Sequence, residues 1–465
     1  MLISINNQSY SNSEYSVYSE QKHSYLPLWL LFIIISLIGS LGILNDFPRF
    51  SWIITALFGL CSVSVSRFFP PLTVVLLFNY VFFIYGIPHI FFNFSLIAMS
   101  HYIASKYLTQ IYWMISLFLS VLILQISYIP KYHKKLTSYH ELSRQLAFPK
   151  SPLLFMMLAS ISYYAIVWGI QGVFILGKGY GYAAYIQNLQ STSGIPEYLL
   201  IVFFLGALCA KKPLFRAIWF GLLLFFIIKT SLIGLRVVTM MGGLLALWFS
   251  GIRINFKRTL IWFPVFFLLF SFIGVLKNVT SLSWEELIPN LLYEVHGDII
   301  VSHHTNVLWS SVSMLYLIDV GILDAYQRIN VLLYFLMNMI IPSGILQKSW
   351  QPFIGSWLQE QGYSSGGGHI VAFAFLSGGI FFVIFIGFFF GALLRNAVSH
   401  RSNLLSQFFR CWFMMTIITF PRWISYDLGN SFFRLPIYAS VIYTIIKFIH
   451  GSIFKHVYRK KTPSG

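Results

Sequence analysis

At 465 residues, with 9% charged and 57% hydrophobic side chains, the chain departs from a soluble domain, in which about a quarter of residues are charged. A mean hydropathy of +0.75 and continuous apolar runs of membrane-crossing length exclude an ordinary globular enzyme and predict an all-α polytopic membrane protein. The net charge of +18 does not point to nucleic acid, because the basic residues stand in short stretches between apolar runs, where orientation signals are placed.

The polar residues 1–25 are expected to form a cytoplasmic tail, and the first apolar run to be a retained span rather than a signal peptide. Spans are predicted near 26–45, 52–69, 72–99, 108–129, 152–176, 198–210, 217–234, 237–251, 259–276, 369–394, 406–421 and 435–450, about twelve in all. Helices are preferred to a barrel because the runs are continuous rather than alternating. The domain plan is a tail (1–25), nine spans (26–276), one large outer loop (277–368), three spans (369–450) and a basic cytoplasmic tail (451–465). Under this plan the basic stretches at 131–150, 211–216, 251–258, 395–401 and the C-terminus all fall on one side, the cytoplasm. Glu197, Glu285, Glu286, Glu294, Asp298, Asp319, Asp324, Glu360 and Asp427 all fall on the other. The loop's apolar run 331–342 is short for a span and suits a helix lying on the membrane or re-entering it.

The three cysteines, Cys61, Cys209 and Cys411, lie in or beside apolar runs, so no disulfide framework is expected. No Walker motif and no GxGxxG after a strand is found, and no cofactor is expected. Chemistry, where it occurs, belongs to the outer membrane–water boundary.

Arg236, in "SLIGLRVVTMMGG", falls at an outer turn between spans, where an arginine either serves a ligand or snorkels to the interface. Arg422 and Arg434, in "FPRWISYDLGNSFFRLPIY", also fall outside, against the positive-inside bias. Guanidinium forks bind phosphate oxygens in pairs, so these three arginines suit a diphosphate, with Lys277 at the start of the large loop behind them. Asp427 would orient a guanidinium or act on a hydroxyl; a structural ion pair is the alternative.

Acid and imidazole come close in "YEVHGDIIVSHH", which makes Asp298 and His303 candidates for general-base catalysis on a sugar hydroxyl. His303 and His304 are adjacent and point apart on a helix, so no metal site is expected. In "SSGGGHIVAF", three glycines precede His369 and a new span, which places this histidine where an anion or an acceptor sugar could meet a helix start. Tyr180, Tyr182 and Tyr185, beside glycines in the outer loop 177–188, offer faces for sugar rings or belong to the interfacial aromatic belt.

The layout resembles the Wzy-type polymerases of bacterial O-antigen, capsule and enterobacterial common antigen synthesis. About a dozen spans and one dominant late outer loop carry the resemblance over most of the chain. The local features are the glycine-rich aromatic loop at 177–188, the arginine in "GLRVVT", the lysine in "GVLKN", "IIPSG" (340–344), "GGGHIVAFAFLSGG" and the late turn with Arg422, Asp427 and Arg434. The resemblance implies a fold like that of lipid-dependent C-type glycosyltransferases. It implies transfer of a growing glycan from undecaprenyl diphosphate to the non-reducing sugar of a new lipid-linked repeat unit, at the outer leaflet of the bacterial cytoplasmic membrane, with both termini cytoplasmic. The implied partners are undecaprenyl-diphosphate-linked oligosaccharide and the bilayer, with a chain-length regulator left open, and no nucleic acid. The resemblance implies basic residues for the diphosphate and carries over no catalytic residue; the residues read above that fit these roles are Arg236, Lys277, Arg422 and Arg434 for the diphosphate, Tyr180, Tyr182 and Tyr185 for sugar, and His369, Asp298 and His303 as competing bases. A flippase of lipid-linked oligosaccharide and an O-antigen ligase are the alternatives.

Overall fold

The structure, a computed structural model, describes residues 26–66, 79, 82–93, 101–127, 203, 213–232, 239, 265, 268–269, 272–273, 275–276, 279, 283–300, 303–338, 361–363, 368–397 and 448. Among these residues the chain is helical and contains no strand. The bounded helices are α1 (Leu26–Ser40), α2 (Pro48–Ser66), α3 (Ile87–Phe91), α4 (His101–Ser127), α5 (Pro213–Leu232), α6 (Trp284–Ile300), α7 (His303–Asp319), α8 (Ala325–Asn338) and α9 (Ile370–Ala397).

Two of them, within 104–125 of α4 and 370–392 of α9, are long and apolar enough to cross a membrane. They differ in surroundings. The apolar stretch of α4 is 89% buried inside the protein, against 39% for that of α9. The cause is in the sequence of α4 from 111 to 124, which is apolar or hydroxyl-bearing all round and so has no face suited to water. Leu108, Ile111, Tyr112, Met114, Leu117, Phe118 and Leu122 have no exposed surface. The hydroxyls that interrupt them are neutralised locally: Thr109 Oγ1 donates to the Ser105 carbonyl at 2.7 Å, and Ser120 Oγ to that of Ser116 at 2.5 Å.

α9 packs along α4 in the same direction. A Cβ on Gly387 would lie 2.9 Å from the Phe118 carbonyl oxygen, and one on Gly391 would lie 2.4 Å from Gln125 Cβ, so only glycine allows this approach. The Phe118 and Phe390 rings meet edge to face at 6.0 Å. α1 runs the opposite way to α4: Gln110 Nε2 donates to the Ser40 carbonyl at 2.9 Å, and Trp113 packs against Gly39. α1 and α2 form a helical hairpin, closed by Ser51 on the Leu44 carbonyl and by Trp29 and Phe32 against Phe58.

The run 72–99, expected as one span, is interrupted by a turn at Gly86 and by Asn93 at φ 58°. Pro88 explains where α3 starts, since proline suits a first helical turn and has no N–H to lose there. The segment read as the large outer loop carries α6, α7 and α8. α8 begins at Ala325 rather than 331 because Asp324 and Gln327 cap it reciprocally: the Gln327 N–H donates to Asp324 Oδ1 at 2.8 Å, and the Asp324 N–H to Gln327 Oε1 at 3.0 Å. α7 is a core helix. Val307, Leu308, Val312, Met314 and Leu317 are buried, and it packs on both α4 and α9.

Candidate functional site

The start of α9, the first half of α4, the middle of α7 and residues 79 and 82–91 come together. His369 is at their centre and has no exposed surface. It caps α9, its carbonyl accepting from the Ala372 and Phe373 N–H groups at 3.0 and 3.2 Å. Its own N–H donates to Ser311 Oγ at 2.7 Å, and that hydroxyl donates on to the Val307 carbonyl at 2.7 Å. A backbone amide of α9 is thus held by a side chain of α7.

The ring is equally constrained. The Val371 N–H donates to Nδ1 at 3.3 Å, and Nε2 lies 3.1 Å from Asn79 Oδ1. An N–H can only donate, so Nδ1 accepts, and the imidazole proton sits on Nε2 and goes to Asn79. Phe82 closes the ring edge to face at 5.0 Å. Both nitrogens are engaged and no solvent reaches them, so this neutral imidazole positions three segments and offers no lone pair to a substrate in this state. Replacing His369 with alanine is expected to leave a cavity and strip Asn79 of this donor, a loss of about 2–4 kcal/mol in denaturant melts. The protein's activity should then fall only in proportion to folded protein. Full stability with lost activity would instead restore the base role.

A second polar cluster ties α7 to α4. Tyr107 Oη donates to Asp319 Oδ2 at 2.5 Å, and Lys106 Nζ reaches the same oxygen at 3.2 Å. The Tyr107 hydrogen bond, followed by that of Lys106, holds the Asp319 carboxyl below the usual carboxylate range, against a smaller opposing effect of burial. Tyr107 and Tyr316 add an edge-to-face contact at 6.1 Å.

The other sequence-predicted residues divide into two groups. Asp298 falls within α6 and His303 opens α7, on described backbone, while their side chains lie outside the described residues. Arg236, Lys277, Arg422, Arg434, Asp427, Tyr180, Tyr182 and Tyr185 lie outside the described residues altogether. The chain flanking two of them is described. On either side of Arg236 in the sequence, Thr239 Oγ1 reaches Thr230 Oγ1 at 3.2 Å and Ser231 Oγ at 3.4 Å. Around Lys277, Val275, Leu276, Val279 and Leu287 form one buried apolar cluster.

Sequence reasoning passed over Asn79, Ser311, the Lys106–Tyr107–Asp319 cluster and Arg328. A signal existed for Asn79, a single amide inside the apolar run "VVLLFNYVFF", where a polar side chain needs a partner. Among the described residues no group of three or more histidine, cysteine or carboxylate side chains is placed to hold a metal. Comparison with known proteins finds no matching family model, no matching curated protein and no matching solved structure.

Proposed function

We propose that this chain is a membrane glycosyltransferase of about twelve spans, which joins undecaprenyl-diphosphate-linked oligosaccharide repeat units into O-antigen or capsular polysaccharide at the outer leaflet of the bacterial cytoplasmic membrane. The observation that carries the reading is the parallel pairing of α4 and α9. The proposed span order brings both into the membrane from the outer side, so two neighbours must run in the same direction. The short outer connections before α4 and after α1 give the antiparallel pairing of those two helices in the same way. One span more or fewer between 127 and 370 would set α9 against α4 in the opposite sense, whereas two would leave the pairing parallel.

In this reaction an acceptor hydroxyl attacks the anomeric carbon of the donor glycan. The bond from that carbon to the diphosphate oxygen breaks, and the lipid diphosphate leaves with the electron pair. Arg236, Arg422 and Arg434, with Lys277, would meet the charge that develops on the leaving group, the kind of fixed electrostatic stabilisation that dominates many enzymes. Asp298 or His303 would take the hydroxyl proton. His369 acts through what it holds, the start of α9. Tyr180, Tyr182 and Tyr185 would face sugar rings.

The glycan ladder of a deletion strain tests the proposal. Single repeat units capped on the lipid anchor are expected. Complete loss of surface glycan would instead support the second reading, a flippase, which draws on Lys229 within the apolar helix α5.

A further inference from the structure

Two helices of the segment read as the outer loop turn apolar side chains outward as well as inward. On α8 the core side is Val331, which with Leu323 just before the helix joins Met314, Leu317, Ala372 and Leu376 in one buried cluster. Tyr326, Ile329 and Leu333 lie on the opposite side at helical spacing, and all three are exposed. Gln327, Arg328 and Asn330 lie off this stripe. On α6, Leu287 joins Val275, Leu276 and Val279 in the core, while Trp284, Ile288 and Leu292, spaced four apart, form a second exposed stripe. Trp284 and Tyr326 are 75% and 73% exposed, so neither ring is a core residue left partly uncovered. A helix on a soluble surface turns its charges to water and its apolar side to the core. Here the outward side is apolar too, and water is a poor neighbour for it.

Each helix is fastened near the outer end of an apolar run. α9 breaks at Gly378 (φ −149°, ψ 20°) and Gly379 (φ 65°, ψ −158°), the second in a region open to glycine alone. In an unbroken helix the Phe375 and Leu376 carbonyls would accept from Gly379 and Ile380. They accept instead from Arg328 of α8, from one Nη at 3.1 Å and from Nε at 2.7 Å. Leu376 is about 9 Å along α9 from Ile370, where the span begins, and a membrane-crossing helix covers a hydrocarbon core of about 30 Å. The middle of α8 is therefore held at the depth of the outer interface, not in the water above it. Below the break the same span exposes Phe381, Phe385 and Phe388. α6 is held in the same way at the end of the run 259–276, in which Val265, Leu268 and Leu269 are exposed.

We infer that α6 and α8 are interfacial helices, and that the Trp284–Ile288–Leu292 and Tyr326–Ile329–Leu333 stripes are seated in the outer leaflet of the bilayer. The aromatic ring that heads each stripe suits the headgroup level, and the aliphatic residues behind it suit the acyl boundary. The sequence brings only 331–342 to the membrane. The seat adds the first turn of α8 and the whole exposed stripe of α6, which had read as polar loop. Arg328 holds α8 to the outer end of α9, so the lipid-facing side of the loop and the span form one body. The inference rests on the membrane placement of the proposed reading and not on its chemistry.

Nitroxide labels on the full-length protein in lipid nanodiscs test it, with Cys61, Cys209 and Cys411 replaced by serine. Ile288→Cys, Leu292→Cys, Ile329→Cys and Leu333→Cys carry the label one at a time, and Phe385→Cys marks the exposed side of the span. All five positions are exposed. Collisions with oxygen, which concentrates in lipid, are compared with collisions with a water-soluble nickel chelate. The oxygen-to-nickel ratio is expected to rise at all four stripe positions above that of free label in buffer, toward the value at Phe385. A buffer-like ratio at a stripe, beside a high ratio at Phe385, overturns the inference for that helix and leaves the membrane placement standing. A buffer-like ratio at Phe385 as well overturns both. Scarce collisions with either reagent at the stripes mean that a second copy or another protein covers them, which equally overturns the lipid seat. Each stripe carries two labels, so a variant that fails to insert is replaced by its neighbour.

Discussion

Arg422→Ala and Arg434→Ala are each expected to remove long-chain glycan while the protein still inserts at normal levels. The proposed reaction leaves a diphosphate whose charge rises as the glycosidic bond breaks, so donors fixed around it act most strongly at the transition state. Loss of one such donor costs on the order of 10²–10³ in rate. A polymerase slowed that far releases mostly single repeat units to the ligation step, and the ladder collapses to its lowest rung. Lysine at either position is expected to restore short ladders only, because an ammonium supplies charge without the planar pair of donors. Full-length ladders from either alanine variant, with insertion confirmed, would remove that arginine from the diphosphate seat. Full rescue by lysine would reduce its role to charge.

The largest effect on stability is expected at the contact of α1 with α4. A Cβ on Gly39 would stand 2.2 Å from Trp113 Cγ, at the root of a ring that is 1% exposed and cannot turn aside. Gly39→Ala therefore overpacks the seam, at about 1–3 kcal/mol. Trp113→Ala empties it, at about 3–5 kcal/mol. Denaturant melts in detergent measure both. Gly39→Ala combined with Trp113→Leu should cost less than the two single changes added together, because the smaller side chain makes room for the methyl. Strict additivity would mean that the two residues do not share this seam.

Apolar runs made α1, α2, α4, α5 and α9 legible in the sequence, each near its observed position. The signal there is physical: long stretches without charge have few ways to hide backbone polar groups other than helices. α7 was harder to see. Its serines made 303–319 read as part of a polar loop, yet Ser310, Ser311 and Ser313 are buried. Ser311 shows how, since its hydroxyl donates to the Val307 carbonyl one turn back and carries little unmet polarity into the core. The break in α9 was hidden for the opposite reason. Two glycines inside an apolar run barely alter its hydropathy, and only the backbone angles reveal the bend. His369 was legible as a residue at a helix start. Its burial was not, because Asn79 and Ser311, the groups that satisfy it, come from distant parts of the chain. Arg328 stood out no more than any charge on an amphipathic helix; its value lies in two carbonyls that a sequence reading assigns to an unbroken ladder.

The placement of α4 bears on how the protein is made. Its principal neighbour, α9, is separated from it in sequence by everything between Ser127 and Ile370. During synthesis α4 therefore leaves the ribosome long before the surface that covers it exists. On the proposed membrane placement its glycine-matched flank rests for that interval against lipid or an insertion factor, and a chain terminated before residue 370 would keep it uncovered permanently. Truncated products should accordingly be the preferred prey of membrane proteases, and the full-length protein should become resistant only after the chain from residue 370 onward has been inserted.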